Sequence, residues 1–352
     1  MAELSSNYTQ TSTEHAELPV DQEFYFQWHL TERCNRRCRH CYHDGFASKG
    51  ELDDATLHEV ARRLLQALEA WDRIGSVSLT GGEPWLRSGM VLELLDRFAD
   101  ADRVAHVDLL TNGTLLDVDA CRALAERPVL RRVQVSMEGG TAETHDSIRG
   151  EGSFVETERA VRRMKDAGLT VAVMMTVSRL NFTEVLEAVS RAGEWGVDVF
   201  SIDRFIPEGQ GRDLKEWVLE PTELRDLYVR LHERAIREPN PRVLMYRPLF
   251  CLIDSESEHV GAMCSVGTNA LTIMHEGTVY PCRRLPIPLG NILTDSLHEI
   301  WYSSPILWQA RDPANLKGKC GDCEFVPVCR GCRAMALAMR GDWLEEDPQC
   351  WK

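Results

Sequence analysis

Cys34, Cys38 and Cys41 stand in the run Cys-Asn-Arg-Arg-Cys-Arg-His-Cys-Tyr, separated by three and then two residues. Thiolates at this spacing wrap one short loop around a cubane iron-sulfur cluster, which normally takes four ligands. Three ligands leave one iron open. An iron with a vacant position holds a small molecule and passes it an electron, so the loop reads as a reaction centre. A disulfide with a spare thiol and a zinc site short of one ligand are the other readings, although zinc normally closes with four ligands.

A second set of thiols fills the C-terminal third: Cys264, Cys282, the run Cys320-x2-Cys323-x5-Cys329-x2-Cys332, and Cys350, with Cys251 just upstream. Paired Cys-x2-Cys knuckles also occur in zinc ribbons. A ribbon usually has a longer gap between its knuckles, and it leaves Cys264, Cys282 and Cys350 unexplained. Cys121 matches no motif and is expected in the core. The 12 cysteines exceed ordinary cytosolic usage, yet no apolar signal segment sends the chain to an oxidising compartment, so metal ligation is the better explanation. A formal charge of -15 argues against nucleic acid as a partner. The apolar stretch from Leu169 to Val177 is far shorter than the roughly 20 residues of a membrane span. A cytoplasmic protein is expected.

The elements that position these residues follow from periodicity. Residues 1–22 are polar and aperiodic and read as a mobile tail. Strands are expected at Phe24 to Leu30, Ser76 to Thr80, Ala105 to Thr111, Arg132 to Ser136, Thr170 to Val177 and Val197 to Asp203, with helix-length segments between them. In the first of those segments Asp53 or Asp54 caps a helix whose Leu57, Val60, Ala61, Leu64, Leu65, Leu68 and Trp71 share one face. Trp195, like Trp71, is expected in the core. Six βα units are too few to close an eight-stranded barrel, so an α/β fold with an open, partial barrel is expected, with ligands at the carboxyl ends of its strands. After a helical stretch around Pro221 to Arg237 the pattern changes at about Pro239. The expected division is a tail over 1–22, a barrel over 23–238 and a loop-rich, metal-stabilised domain over 239–352. Gly150-Glu-Gly152 and Gly209-Gln-Gly211 lack the third glycine of a dinucleotide fingerprint.

The expected strand ends carry Gly81-Gly82-Glu83-Pro84, Thr111-Asn112-Gly113 and Ser136-Met137-Glu138-Gly139, followed by His145-Asp146-Ser147-Ile148-Arg149-Gly150. Together with the three-cysteine loop, and in this order, they resemble the radical S-adenosylmethionine (SAM) superfamily. The fold this implies is a partial (β/α)6 radical SAM barrel with a C-terminal loop-rich iron-sulfur SPASM domain. By resemblance Gly81, Gly82, Glu83 and Pro84 form the segment for the methionine amino group, with Glu83 as an anion for the ammonium; the same residues also make a strand-to-helix turn. Asn112 and Ser136 line the cofactor pocket, Ser136 on the ribose. Arg149 pairs with the cofactor carboxylate through its planar fork, or else is a solvated loop arginine. His40 takes the place of an aromatic beside the adenine. Glu138 stands where many relatives have Asp.

The later thiols, with four residues between Gly277 and Cys282, resemble the seven-cysteine SPASM domain and its two auxiliary four-iron clusters. By that resemblance one cluster takes Cys320, Cys323, Cys329 and Cys350, and the other takes Cys264, Cys282 and Cys332. Cys251 is its expected fourth ligand; as a buried thiol instead, it leaves that cluster an open iron. The two residues between Cys329 and Cys332, where the family has three, depart from the pattern.

The resemblance implies three 4Fe-4S clusters and S-adenosyl-L-methionine as cofactors. The cluster on Cys34, Cys38 and Cys41 cleaves SAM to methionine and a 5'-deoxyadenosyl radical, which takes a hydrogen atom from substrate. It points to a peptide or protein substrate undergoing crosslinking, epimerisation or oxidation, and to an electron donor such as flavodoxin or ferredoxin. Only the short tail precedes the barrel, so leader recognition is expected from a separate binding protein or from the cleft. Where sulfatase maturases have Asp after the cysteine matching Cys282, this chain has Arg283-Arg284, which suit substrate carboxylates or are solvated. Modification of a tetrapyrrole haem precursor is therefore the alternative enzyme reading. An iron-sulfur electron-transfer or scaffold protein is the alternative of another class, against which the Gly81 to Pro84 segment speaks.

Overall fold

The computed structural model describes residues 23–255 and 260–352. The expected tail over 1–22 lies outside the described residues. From the start of the described chain, strands and helices alternate: β1 (Glu23–His29), α1 (Asp54–Ala70), β2 (Ile74–Thr80), α2 (Ser88–Ala99), β3 (Val104–Thr111), α3 (Val118–Ala125) and β4 (Leu130–Ser136). Two helices follow, α4 (Ala142–Arg149) and α5 (Ser153–Asp166), then β5 (Val171–Val177), α6 (Val185–Glu194), β6 (Val199–Arg204) and α7 (Pro221–Arg237). All six expected strands form, within about two residues of the expected ends.

Local chemistry sets several boundaries. Asp53 is the cap of α1, its Oδ1 accepting from Thr56 N at 2.8 Å. Pro221 opens α7, where Glu220 N donates to the Glu223 side chain at 2.7 Å in a capping box. Gly152, before α5, has no capping side chain, and Asp146 supplies one from α4: its carboxylate accepts from Gly152 N at 2.7 Å and Phe154 N at 2.8 Å.

With β7 (Arg242–Leu244), β8 (Ala270–Ile273), β9 (Thr278–Tyr280) and β10 (Gly290–Asn291) from later in the chain, the strands form one sheet in the order β10-β9-β8-β1-β2-β3-β4-β5-β6-β7. β1 through β6 run parallel in sequence order. The region after residue 238 supplies both edges. β7 (Arg242–Leu244) extends the sheet beside β6, and β8 (Ala270–Ile273) pairs parallel with β1 at the other side. β9 (Thr278–Tyr280) and β10 (Gly290–Asn291) continue antiparallel from β8. Strand pairing therefore runs past the compositional change at Pro239, because the outer strands of a six-stranded sheet offer unpaired backbone groups that short segments can satisfy. The last helices are α8 (Leu297–Ser303), α9 (Pro305–Arg311) and α10 (Arg333–Arg340).

The two faces of the sheet differ. Phe24, Phe26, Trp28, Val77, Leu79, Val107, Leu109, Val133, Val135, Val173, Met175, Phe200 and Ile202 are buried in one core with Leu57, Leu64, Leu68, Trp71, Cys121 and Trp195 from the helix layer. Because side chains alternate along a strand, their neighbours Tyr25, His29, Ser76, Ser78, Thr80, Asp108, Ser136, Thr176, Ser201 and Asp203 face the other way. A barrel interior is ordinarily packed with branched apolar residues. This one is polar.

Candidate functional site

The loop after β1 carries Cys34, Cys38 and Cys41, all half-buried and without disulfide partners. It is clamped from several elements. Gly82 N donates to Thr31 O and Glu83 N to Arg33 O, both at 2.8 Å; Arg39 N donates to Ile148 O at 3.0 Å. Gln210 N and Gly211 N reach His43 O and Cys41 O at 3.0 and 3.3 Å. Arg283 is buried, lies over the Tyr42 ring at 4.7 Å and donates from Nη2 to Tyr42 O at 3.0 Å. A Cβ on Gly82 would lie 2.3 Å from Arg33 O, and one on Gly81 2.3 Å from Thr31 O. The close approach that these glycines permit is that of the cysteine loop itself. Gly209 has φ +57° and its Cβ position lies 2.3 Å from the Tyr42 carbonyl carbon, so this second glycine motif also serves backbone contact with the loop. Burial raises the Cys34 thiol and pushes Cys41 up to about 12, so both carry protons until a metal displaces them.

Glu83 is fully buried, and both its oxygens are engaged. Oε1 accepts from Thr111 Oγ1 at 2.6 Å and from Trp85 N at 3.1 Å, while Oε2 accepts from Asn112 N at 2.8 Å. It ties the end of β2 to the end of β3. Pro84 opens a short 3-10 turn with Glu83 as its cap, so the turn reading of this segment holds in the structure. Asn112 donates from Nδ2 to Asn35 Oδ1 at 2.8 Å, with Cys34 Sγ 3.9 Å from the same nitrogen.

Glu138 is a hub that its sequence context did not reveal. It is 1% exposed. His40 Nε2 lies 3.1 Å and Arg149 Nη1 3.3 Å from its Oε1, and its Oε2 accepts from Thr176 N at 2.8 Å. Its backbone N donates to His145 Nδ1 at 3.1 Å, and its carbonyl accepts from Asn181 Nδ2 at 3.0 Å. Burial pushes the His145 imidazole down to about 3, which suits its role as a neutral acceptor. His40, expected beside an adenine, thus has a carboxylate partner on β4's end. Arg149 is buried rather than solvated; burial opposes its charge, but Cys38 and Glu138 outweigh it and raise its pKa. Ser136 ends β4 on the polar face, half-buried.

On that face Tyr25 is hydrogen-bonded to Ser78 and pushed up to about 12 by burial, near Asp108, Arg247 and Arg132. Asp108 accepts from Arg131 at 2.7 Å and Arg132 at 3.1 Å. Asp203 Oδ1 accepts from both Arg247 Nε and Arg284 Nη2 at 3.2 Å. Burial opposes its ionisation, but Arg284 and Arg247 hold the carboxyl below its ordinary range. Four guanidiniums thus share two carboxylates in a chain whose formal charge is -15. The alternation Ser76-Val77-Ser78-Leu79-Thr80 is the sequence signal for this face, since a parallel strand covered on both sides by apolar layers reads as a continuous apolar run.

The C-terminal thiols fall into two groups. Cys320, Cys323, Cys329 and Cys350 line one cavity of about 300 Å3, with Leu249, Leu252 and Phe325 around them. Cys264, Cys282 and Cys332 belong to a separate apolar cluster with Phe205, Trp217, Leu285 and Met335. Cys251, the expected fourth ligand of that group, is buried in the main core with Cys329. It lies close to Cys329, whose backbone O accepts from Cys264 N at 3.1 Å. Its neighbour Phe250 stacks on Tyr228 of α7 with ring centroids 3.6 Å apart. Among the described residues, no three His, Cys, Asp or Glu side chains lie close enough to share a single metal ion. A four-thiol cavity of this size suits the spread ligands of a multi-iron cluster.

Residues 28–199 match the model of the radical SAM superfamily, and residues 264–333 that of an iron-sulfur cluster-binding domain, SPASM. The chain is 32% identical over 347 residues to the AdoMet-dependent heme synthase of Methanosarcina barkeri, covering 92% of this chain and 95% of that one. It is 31% identical over 345 residues to the mycofactocin maturase MftC of Mycobacterium ulcerans, covering 94% and 88%. The fold is similar to that of anSMEcpe solved with bound AdoMet and the Cp18Cys peptide, with a TM-score of 0.70, 20% identity, and 92% of each chain covered. The sequence likeness, the parallel sheet and the clamped cysteine loop agree: the chain belongs to the radical SAM superfamily, and it is a SPASM-type enzyme of iron-sulfur clusters and S-adenosylmethionine.

Proposed function

We propose that this enzyme modifies a peptide or protein by hydrogen-atom abstraction, crosslinking, epimerising or oxidising a side chain. The observation that carries the reading is the polar inner face of the sheet, where Thr80 and Ser136 end their strands and Asp203 pairs with Arg284, two residues after Cys282. The maturase likeness over most of the chain supports it, as does the peptide bound to anSMEcpe. When bound at Cys34, Cys38 and Cys41, a reduced cluster supplies the electron that cleaves SAM to methionine and an adenosyl radical.

The chain's own residues bind, orient and exclude water. Arg149, held by Glu138, offers its remaining donors to the cofactor carboxylate. Asn112 and Ser136 stand at strand ends for the nucleoside, and His40 sits beside Arg149 on Glu138. The segment from Gly81 to Pro84 presses the cysteine loop onto the sheet. In this reading two further clusters sit on the C-terminal thiols, making three in all, and take the substrate's electron. An electron donor such as flavodoxin or ferredoxin delivers the reducing electron, a separate protein presents the peptide leader, and the enzyme works in the cytoplasm. Among the described residues no helix is long and apolar enough to cross a membrane.

Anaerobic incubation of the reconstituted protein with SAM and dithionite should yield 5'-deoxyadenosine. Replacement of Cys34, Cys38 and Cys41 by Ala should abolish it, and unchanged yield would reject the assignment. Peptides encoded beside the gene, scored by mass change, test the substrate.

One observation favours a second reading. The inner-face arginines Arg132, Arg247 and Arg284 and the likeness to the heme synthase suit a carboxylate-rich tetrapyrrole. Loss of carboxylate from a propionate-bearing porphyrin, with every peptide unchanged, would select it.

A further inference from the structure

The cysteine loop carries the opposite charge to the chain as a whole. Between Arg33 and Lys49 stand five basic residues, Arg33, Arg36, Arg37, Arg39 and Lys49, and one acid, Asp44, in a protein of formal charge -15. Neighbours neutralise part of this: Arg33 pairs with Glu51 and Arg36 with Glu156, while Asp44 is taken up by Arg212. Arg37 and Arg39 are exposed, and among the described residues no carboxylate pairs with either.

Both guanidiniums are nevertheless held in place. Arg37 lies over the Phe46 ring at 4.1 Å and Arg39 over the Trp217 ring at 4.7 Å. Arg37 Nη1 donates to Cys34 O at 2.6 Å and to Arg36 O at 2.7 Å; Arg39 Nη1 donates to Ser147 O at 3.3 Å. A guanidinium has five N–H donors, so each keeps several for a partner, and a stacked fork loses little freedom when it binds one. Arg37, Cys38, Arg39 and Phe46 line a pocket of about 360 Å3 with Gln210 and Leu214. Cys38 is the loop cysteine that reaches it.

We propose that Arg37 and Arg39 form the docking face of an acidic one-electron carrier protein, whose electron enters the loop beside Cys38. The inference rests on the reading above that this loop holds the SAM-cleaving cluster and that a carrier reduces it; it adds where the carrier binds and which charge it bears. An acidic protein is repelled by the chain's net negative charge and attracted where cations stand unneutralised, which selects one orientation. At about 0.15 M salt charges act over roughly 8 Å, so at contact the two arginines outweigh the distant acids. A basic carrier would be drawn to the acidic remainder of the surface and repelled by the loop. One electron moves and no bond forms or breaks: a flavin hydroquinone anion becomes the neutral semiquinone as its electron passes to the iron held by Cys34, Cys38 and Cys41.

The test titrates oxidised flavodoxin, as the acidic carrier, into the full reconstituted chain without SAM or peptide. Binding should weaken as salt rises. Arg37→Glu should raise Kd about tenfold, because reversal replaces an attraction by a repulsion of similar size, whereas Arg37→Lys, which keeps the charge, should bind like the wild type. An unaltered Kd in Arg37→Glu, or binding indifferent to salt, overturns the proposal. Hexaglutamate bound as tightly as flavodoxin would assign the face to an acidic peptide and overturn it too. Formation of 5'-deoxyadenosine from added SAM is then driven by flavodoxin hydroquinone and, separately, by dithionite. The ratio of the two rates should fall in Arg37→Glu; an equal loss with both reductants would show that Arg37 only supports the loop backbone at Cys34. No product from the wild type with dithionite would instead reject the SAM-cleaving reading, on which the titration does not depend.

Discussion

Arg204 Nη2 lies 2.8 Å from Asp347 Oδ2, with both side chains buried, and this pair joins the end of β6 to the last cysteine segment. The same carboxylate accepts from Cys332 N at 2.7 Å and from Gln349 N at 3.0 Å, and Gln349 reaches back to Leu219 O at 2.9 Å. One ion pair therefore positions a thiol of each C-terminal group. Removing one partner of such a pair strands a buried charge. Asp347→Ala is expected to cost about 3–5 kcal/mol of stability and to lower the iron bound by the C-terminal thiols. Denaturant unfolding and iron analysis check it; a stable variant with full iron would show that the pair does not organise the segment.

A methyl group on Gly82 would collide with two carbonyl oxygens, at 2.3 Å and 2.5 Å. Backbone atoms cannot rotate away as a side chain would. Gly82→Ala should displace the cysteine loop, cutting SAM-dependent deoxyadenosine formation by at least about a hundredfold, roughly 2.7 kcal/mol, while the C-terminal iron stays in place. Whole-protein iron together with the product assay separates the two effects.

Arg149 has the planar fork that a carboxylate matches, and Glu138 already fixes one of its nitrogens. Lysine keeps the charge and loses the fork. Arg149→Lys should weaken SAM binding by about tenfold, on the order of the 1.4 kcal/mol of one charged hydrogen bond. Equilibrium dialysis under anaerobic conditions measures this, and an unaltered affinity would remove Arg149 from the cofactor site.

Asp146 gives the pH-dependent case. Burial works against its ionisation, yet the bonds from Phe154, Gly152 and Ser153 outweigh it and hold the carboxyl below its ordinary range. A carboxylate depressed in the folded state stabilises above its unfolded pKa, about 3.9, and that contribution is lost as the pH falls through the folded value. Asp146→Ala should therefore cost about 1 kcal/mol at neutral pH, and the gap to the wild type should close in strong acid. Urea unfolding of both proteins at several pH values gives the comparison; a constant gap would contradict the charge argument.

The separation of the C-terminal thiols makes a further prediction about metal. Cys323→Ala and Cys282→Ala should each remove about four irons, and the double variant about eight, if the groups hold independent clusters. A loss shared between the two single variants would indicate a common site.

Much of this was legible in the chain before any coordinates. Strand positions follow from short apolar periods, and the helix starts at Asp53 and Pro221 follow from capping chemistry, because both depend on near neighbours. The ordered cysteine and glycine motifs pointed to a cluster loop and a cofactor-binding barrel for the same reason: their spacing is local. Long-range contacts were not legible. No local pattern told that Glu138 would gather His40, Arg149 and Thr176, that Gly81 and Gly82 make room for the cysteine loop, or that the inner face would pair Arg247 and Arg284 on Asp203. Cys251 is the clearest case. The resemblance placed it with Cys264, Cys282 and Cys332, and no local pattern told that it would be buried in the main core with Cys329. The sequence by itself determined which elements form and which residue types could carry the chemistry; only tertiary packing decided which side chains meet, because those contacts join different elements, up to 98 residues apart for His40 and Glu138.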